Sequence, residues 1–173
     1  GDLPPCLTDL QGPLDTLGQM CGQALLYEWM YAEPALVHRL FELVTEAFIE
    51  WVRVQKQHTG EPIDGSNGLQ GVWAPRGVGV WEAADDLVML DPGLYREFVL
   101  PYTARIMEAF HGGSLHFCGR GLQHLENLRQ LPGLRVVNTS PMGDFATLAA
   151  LRKRLGGVTI QVQDSAPIDV EGY

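Results

Sequence analysis

Short apolar runs alternate along this chain with longer segments that have the spacing of amphipathic helices, and this alternation restricts the fold more than any other feature. Strand-like runs occupy residues 5–10, 78–82, 115–118, 134–138 and 158–162. Parallel neighbours cannot be joined by a tight turn, so strands separated by helices of ten or more residues indicate βαβ units. The sequence therefore predicts an α/β fold with about five parallel βα units.

The longest helix is predicted to begin at Pro34, because proline is favoured in the first turn of a helix. Apolar residues then recur at spacings of three and four as far as Trp51 and Val52, which predicts one buried face that includes Trp51. Residues 58–77 are rich in glycine and proline and are interpreted as a long loop.

Helix starts are also marked further along the chain. Asp91 is predicted to cap a helix that Pro92 opens, and Pro101 is expected to kink or break that helix. Asp144 is predicted to cap a later helix that Gly156 ends.

A partial TIM (β/α)8 barrel fits this pattern better than a Rossmann fold, since no Gly-x-Gly-x-x-Gly segment follows a strand. In the last predicted strand Gln161 and Gln163 alternate with apolar residues, as though one face met helices and the other a polar lumen. A complete barrel typically needs about 250 residues, so the 173 residues, read as one domain over 1–173, correspond to roughly five-eighths of one.

Charge and composition exclude several classes of protein. A net charge of -9 disfavours a nucleic-acid backbone as partner. No apolar run approaches the roughly 20 residues that span a membrane, which disfavours a membrane protein. Cys6, Cys21 and Cys118 match no disulfide scaffold, so we expect reduced thiols and a cytoplasmic location.

The tetrad His116-Phe117-Cys118-Gly119 ends a predicted strand, where alternation places His116 and Cys118 on one face. An imidazole and a thiolate side by side suit zinc, although two ligands make an incomplete site. The alternative is a buried cysteine beside a hydrogen-bonded histidine.

Acidic and amide side chains follow other predicted strands. Asp85 and Asp86 are candidate catalytic residues, one as acid and one as base, at the carboxyl end of a strand where barrel active sites gather. The alternative is that they cap a loop by accepting backbone N–H groups. Asp9, Asn138 and Gln161 are candidate substrate-binding residues in the same lumen.

From residue 4 to residue 167 the chain resembles the uroporphyrinogen decarboxylase-like superfamily, a barrel family that includes zinc-dependent corrinoid methyltransferases. The resemblance depends on Asp85-Asp86-Leu87-Val88-Met89-Leu90-Asp91-Pro92, on residues 95–102 and on the 116–119 tetrad. Residues 9–13 and 25–37 resemble the upstream segment, so the match is colinear. The resemblance implies that the chain covers the central to C-terminal part of a barrel and is a fragment of a longer parent.

Departures from the family pattern distinguish its branches. The decarboxylases have an N-terminal arginine-rich motif that is absent here, and a tyrosine where this chain has Gln19 or Met20. Their active-site serine follows a glutamate, whereas here Ala83 follows Glu82, which is kept as a candidate substrate-binding residue. The methyltransferase branch is similar in its His-x-Cys pair, and its third zinc ligand, a later cysteine, has no counterpart here.

The resemblance therefore implies a parent enzyme that transfers a methyl group to a thiol substrate held by zinc, with a small-molecule substrate and a corrinoid protein as candidate partners. The alternatives are a lyase acting on a tetrapyrrole and a non-catalytic partial barrel. We expect this chain alone to be inactive. Because an open parallel sheet leaves unpaired edges, we also expect a homo-oligomer, most simply a dimer.

Overall fold

The computed structural model describes residues 5–69, 72–140 and 145–163 of the chain, without the side chains of residues 68, 69 and 72. Its helices are α1 (Pro13–Cys21), α2 (Gln23–Ala32), α3 (Pro34–Thr59), α4 (Pro92–Leu94), α5 (Leu100–Ala109), α6 (Leu125–Gln130) and α7 (Phe145–Arg154). Its strands are β1 (Ser66–Leu69), β2 (Val72–Ala74), β3 (Val80–Ala83), β4 (Gly113–Cys118), β5 (Leu134–Ser140) and β6 (Thr159–Val162). The predicted cap Asp144 lies outside the described residues.

A four-stranded parallel sheet in the order β3-β4-β5-β6 forms the centre of the fold. Leu115 and Phe117 of β4 are fully buried in the main apolar core, together with residues of α1 to α3 and α6. Side chains alternate along a strand, so His116 and Cys118 lie on the opposite face. The parallel α/β architecture is confirmed, and it is consistent with a partial barrel.

The first predicted strand is reduced to a single bridge beside β3. Ala83 donates its N–H to Leu10 O and accepts from Gly12 N, both at 2.8 Å, and the bridge pairs Gln11 with Ala83. The prediction of a regular strand at residues 5–10 is wrong, because this segment makes a ladder only at its end, just before Pro13 begins α1. The described residues therefore form four paired parallel strands and one bridge, where five units were predicted.

Helix α3 begins at Pro34 as predicted and buries Val37, Phe41, Phe48 and Val52. Trp51, which the spacing placed on the buried face, is 54% exposed. The error has a geometric cause: one helical residue turns the side chain by about 100°, so a position next to the fully buried Val52 lies at the margin of that face.

The helix predicted from Asp91 is confirmed, together with its interruption. Asp91 Oδ1 accepts hydrogen bonds from Gly93 N at 2.7 Å and from Leu94 N at 3.4 Å. A π-helical segment, Tyr95–Val99, separates α4 from α5. Pro101 explains the break, since proline cannot donate within a helix and its ring clashes with the preceding turn.

The segment interpreted as a loop at residues 58–77 contains the end of α3 and the antiparallel pair β1–β2. Ala74 and Val78 pack against Trp81 and Ala83 of β3, with Val136 of β5 beside them. This segment therefore covers part of the sheet face that lies opposite the main helical core. Among the described helices, none combines the length and the apolar character that membrane crossing requires.

Candidate metal centre

Three side chains that could ligate a metal meet at the carboxyl ends of β3 and β4. They are Asp85, His116 and Cys118, and their ligand atoms all lie within 4.8 Å of one another. Asp85 begins a 3-10 helical segment, Asp85–Met89, that follows β3 after Ala84. The parallel pairing of β3 with β4 therefore brings together residues that are more than 30 positions apart in the sequence.

His116 is held in one orientation by its neighbour on β5. Its Nδ1 hydrogen-bonds Asn138 Oδ1, and the two residues are partners in the β4–β5 register. Both side chains are nearly inaccessible to solvent. In a neutral imidazole, an amide oxygen at Nδ1 favours the tautomer with its hydrogen on Nδ1, which leaves the lone pair on Nε2.

That lone pair is directed toward the other two side chains. His116 Nε2 lies 3.4 Å from Cys118 Sγ and 3.6 Å from Asp85 Oδ1. The His116 side chain is 8% exposed and the Asp85 side chain 48% exposed, so the cluster opens to solvent on the side of the carboxylate. A small molecule could therefore reach it.

Asp15 of α1, which the sequence analysis missed, fixes the turn that carries Asp85. Asp15 Oδ2 accepts from Asp85 N at 2.8 Å, and its Oδ1 accepts from Asp86 N at 3.1 Å. Asp85 Oδ1 in turn accepts from Cys118 N at 2.7 Å, which ties the turn to the end of β4. The available signal was a single acidic residue among the apolar positions of a short helix, and this signal is weak.

Burial changes the protonation of this region. The pKa of Asp15 is raised from 3.8 to about 7, mainly by burial and further by the charges of Asp86 and Asp85, although the backbone hydrogen bonds oppose the rise. Burial also raises the pKa of Asp86, against the hydrogen bond from Gln23. The pKa of the Cys118 thiol is raised by burial and by the neighbouring Asp85 carboxylate. Without a cation, therefore, the charged forms of these groups are disfavoured.

The donor types of this cluster, and two of its three ligand–ligand distances, suit a zinc ion. Tetrahedral ligands at the usual Zn–N, Zn–O and Zn–S bond lengths of about 2.0–2.3 Å lie roughly 3.3–3.7 Å apart, close to the two distances from His116 Nε2 given above. One nitrogen, one sulfur and one oxygen donor match the ligand types that zinc takes, and a catalytic site leaves the fourth position open. The hydrogen bond from Nδ1 to Asn138 is the outer-shell contact typical of histidine ligands.

The other predicted site residues are distributed differently. Asp86 points toward α1 and α2, where Gln23 Nε2 donates to its Oδ1, so Asp85 and Asp86 have separate surroundings. Asn138 belongs to the cluster through His116, and Gln161 is half-buried on β6 as the register partner of Asn138. Asp9 is exposed on the segment before α1.

Glu82 lies on the helical side of the sheet and is 1% exposed. Thr103 Oγ1 donates to its Oε1 at 2.7 Å, and burial raises the pKa of Glu82 from 4.5 to about 7. Its register partner on β4 is Leu115, so it faces away from His116. His124 is fully buried, and its Nε2 lies 3.1 Å from Leu90 O, away from this cluster.

Comparison with protein families finds that residues 83–163 match the model of the family described as uroporphyrinogen decarboxylase (URO-D). The matched segment is just under half of the 173 residues and contains Asp85, His116, Cys118 and Asn138. Neither the curated proteins nor the solved structures contain a significant match. The resemblance predicted from the sequence is thus confirmed over this segment.

Proposed function

We propose, starting from the resemblance of residues 83–163 to the URO-D family, that this chain carries the metal centre of an enzyme that transfers a methyl group to a thiol with the help of zinc. The single observation that supports this proposal most strongly is the convergence of Asp85, His116 and Cys118 within 4.8 Å. Asp85 would supply the third protein ligand beside His116 and Cys118. Zinc, when bound, would lower the pKa of a thiol ligand so that it loses its proton at neutral pH.

The chain's own residues would prepare this site in three ways. Asn138 keeps the hydrogen of His116 on Nδ1, which leaves Nε2 available as a ligand. Asp15 holds the backbone of the turn, so the Asp85 carboxylate is positioned before any ligand arrives. The buried β4 backbone fixes His116 and Cys118, while the exposed Asp85 side faces incoming substrate.

Metal analysis tests the proposal directly. Protein purified with zinc present should hold one equivalent, and His116→Ala, Cys118→Ala and Asp85→Asn should each lose it. Cobalt substitution should give the intense sulfur-to-cobalt absorption of a thiolate ligand, and Cys118→Ala should abolish this absorption. His58→Ala and Cys21→Ser are matched controls in which the same residue types change elsewhere. Full zinc retention in all three cluster variants would exclude the site.

A second candidate function is decarboxylation of a tetrapyrrole, and the observation that favours it is the family description itself. In this reading Asp85 and Asp86 would be the catalytic pair and Asn138 and Gln161, which share one face of the sheet, would contact the substrate, whereas Glu82 lies on the opposite face. Incubation of the longer parent protein with uroporphyrinogen, followed by mass spectrometry, would detect the loss of carboxyl groups. Turnover that persists after zinc removal would favour decarboxylation over methyl transfer.

Partners and location are proposed on narrower grounds. A corrinoid protein is proposed as methyl donor, and a small thiol as acceptor. Within the described residues β6 is an edge strand, and its Val162 is 48% exposed, which supports assembly of two copies through sheet edges. Light scattering would test for this dimer or for a non-catalytic assembly of another size. The three free cysteines support a cytoplasmic location.

A further inference from the structure

A cavity of about 420 Å³ lies near the amino ends of β5 and β6. The candidate ligands Asp85, His116 and Cys118 lie at the other end of the sheet, where β3 and β4 end. The cavity is lined by the segment 73–78, which contains the end of β2, and by β5 and β6. Its lining includes Trp73, Pro75, Arg76, Arg135, Thr159 and Gln161. Its volume falls in the usual range for small-molecule sites, about 300–1,000 Å³.

The cavity is positively charged although the chain as a whole carries a net charge of -9. Among its described lining residues, the charged side chains are Arg76 and Arg135. Arg76 forms an ion pair with Asp64 at 2.5 Å. Arg135 is exposed, and within the described part of the chain no ion pair or hydrogen bond engages its side chain. One guanidinium is therefore available to a ligand.

The backbone directs Arg135 to this place. In the β4–β5 ladder Gly113 pairs with Leu134 and Ser114 with Val136, so Arg135 is the extra residue of a β-bulge. A bulge bends the strand and re-aims a side chain, and bulges are frequent next to functional sites. The bulge therefore places a cationic side chain at the cavity rim.

The remaining walls suit a flat apolar group. Trp73 is 69% exposed, although the neighbouring Ala74 is buried against the sheet. Pro75 adds a second apolar surface, and Thr159 and Gln161 offer neutral hydrogen-bonding groups on the strand side. Indole and guanidinium planes both favour stacking on an aromatic ring, and guanidinium also forms paired hydrogen bonds with carboxylate or phosphate.

We propose that this cavity binds a small planar organic anion: an aromatic ring that bears a carboxylate or a phosphate group. The anionic group binds the Arg135 guanidinium, and the aromatic ring stacks on the Trp73 indole. The site is independent of the metal centre and of the proposed methyl transfer, because it shares no residue with the cluster.

Arg135 also borders a second hollow, which contains Glu108 and His111. Within the described residues Glu108 and Arg135 form no ion pair. If Arg135 served that hollow instead, its replacement would leave the binding of an aromatic anion at Trp73 unchanged. The experiment below includes this outcome.

Binding is measured by NMR titration with phenyl phosphate and with benzoate, which distinguish a phosphate from a carboxylate. Benzyl alcohol, which has the ring without the charge, and inorganic phosphate, which has the charge without the ring, are titrated for comparison. The indole N–H signal of Trp73, assigned with Trp73→Phe, reports on the ring. We expect saturable binding of phenyl phosphate or benzoate with a Kd of about 1 mM or tighter. Benzyl alcohol and inorganic phosphate should bind at least about tenfold more weakly.

Arg135→Gln should lower the affinity for phenyl phosphate and benzoate about tenfold or more, and Trp73→Leu should also lower the affinity for both. Arg152→Gln on α7 is the matched control, and it should leave the affinity unchanged. A retained spectrum shows that each variant is folded. Absence of saturable binding, equal binding of benzyl alcohol, or equal affinity in Arg135→Gln and wild type would each overturn the proposal.

Discussion

Replacing Glu82 by glutamine is expected to stabilise the protein at alkaline pH and to change its stability little at acidic pH. Glu82 is 1% exposed, and its Oε1 accepts from Thr103 Oγ1 at 2.7 Å. Its Oε2 is buried and has no hydrogen-bond partner within the described residues. Glutamine keeps the shape and the oxygen acceptor while removing the charge, so the substitution isolates the effect of ionisation.

The magnitude follows from the shift in pKa. Burial raises the pKa of Glu82 from 4.5 to about 7, with a smaller contribution from the charge of Asp15. Because the folded protein binds the proton more tightly than the unfolded chain, the stabilisation by this group is complete below about pH 4.5 and is lost as the pH rises through about 7. One pKa unit corresponds to about 1.4 kcal/mol, so the ionised carboxylate lowers the free energy of unfolding by about 3 kcal/mol.

Urea unfolding of wild type and Glu82→Gln at about pH 4 and about pH 8 measures this difference, and other titrating groups largely cancel in the comparison. The Glu82→Gln substitution should raise the free energy of unfolding by up to about 3 kcal/mol at the higher pH and change it little at the lower pH. Glu61→Gln is the matched control. Glu61 is also buried, but it pairs with Lys56 at 3.7 Å and accepts from Asn67 N at 2.7 Å.

Loss of the Glu61 charge leaves Lys56 without its partner and should therefore destabilise the protein by about 1–3 kcal/mol, the opposite sign. The reasoning would be refuted if Glu82→Gln gave the same change in stability at both pH values while Glu61→Gln behaved as expected.

Three further predictions concern other parts of the molecule. Asn138→Ala should weaken zinc binding about 10–100-fold without removing a ligand, as competition with a chelator would show; unchanged affinity would contradict its orienting role. Gly79→Ala should destabilise by about 3 kcal/mol or more, because its Cβ would lie 2.2 Å from a backbone oxygen, whereas Gly156→Ala, with nothing within 4 Å, should be nearly neutral in thermal unfolding. Phe41→Ala should cost about 3–5 kcal/mol in urea unfolding and Leu43→Ala, at a 64% exposed position, under about 1 kcal/mol; similar losses would refute the assigned core face.

The elements that sequence predicted well are those specified by local chemistry. Pro34 and Asp91 mark helix starts through a fixed backbone angle and a side-chain cap, and both effects act within one turn. The segment at residues 5–10 failed because a strand is completed by its partner, and here the partner pairs only at its end. The exposure of Trp51 could not be predicted either, since the spacing alone does not place the edge of a buried face.

In the candidate site, too, the local arrangement could be predicted from the sequence and the long-range contacts could not. Strand alternation placed His116 and Cys118 together, because both belong to one strand. Their meeting with Asp85 depends on the pairing of β3 with β4, and the support from Asp15 depends on the docking of α1. These are long-range contacts that no local pattern encodes, so the sequence assigned Asp85 to catalysis and did not identify it as a candidate third metal ligand.

The hydrogen bond between Asp15 and the backbone of Asp85 joins residues 70 positions apart. A metal ion bound at the cluster would stabilise only those states in which α1, the turn after β3 and the end of β4 have already docked. Zinc affinity would therefore report on long-range assembly, and a peptide limited to residues 83–163 would contain all three candidate ligands and Asn138 yet bind zinc more weakly than the whole chain. The difference between the two affinities would measure how much of the site's geometry is supplied by the segment that precedes the matched family region.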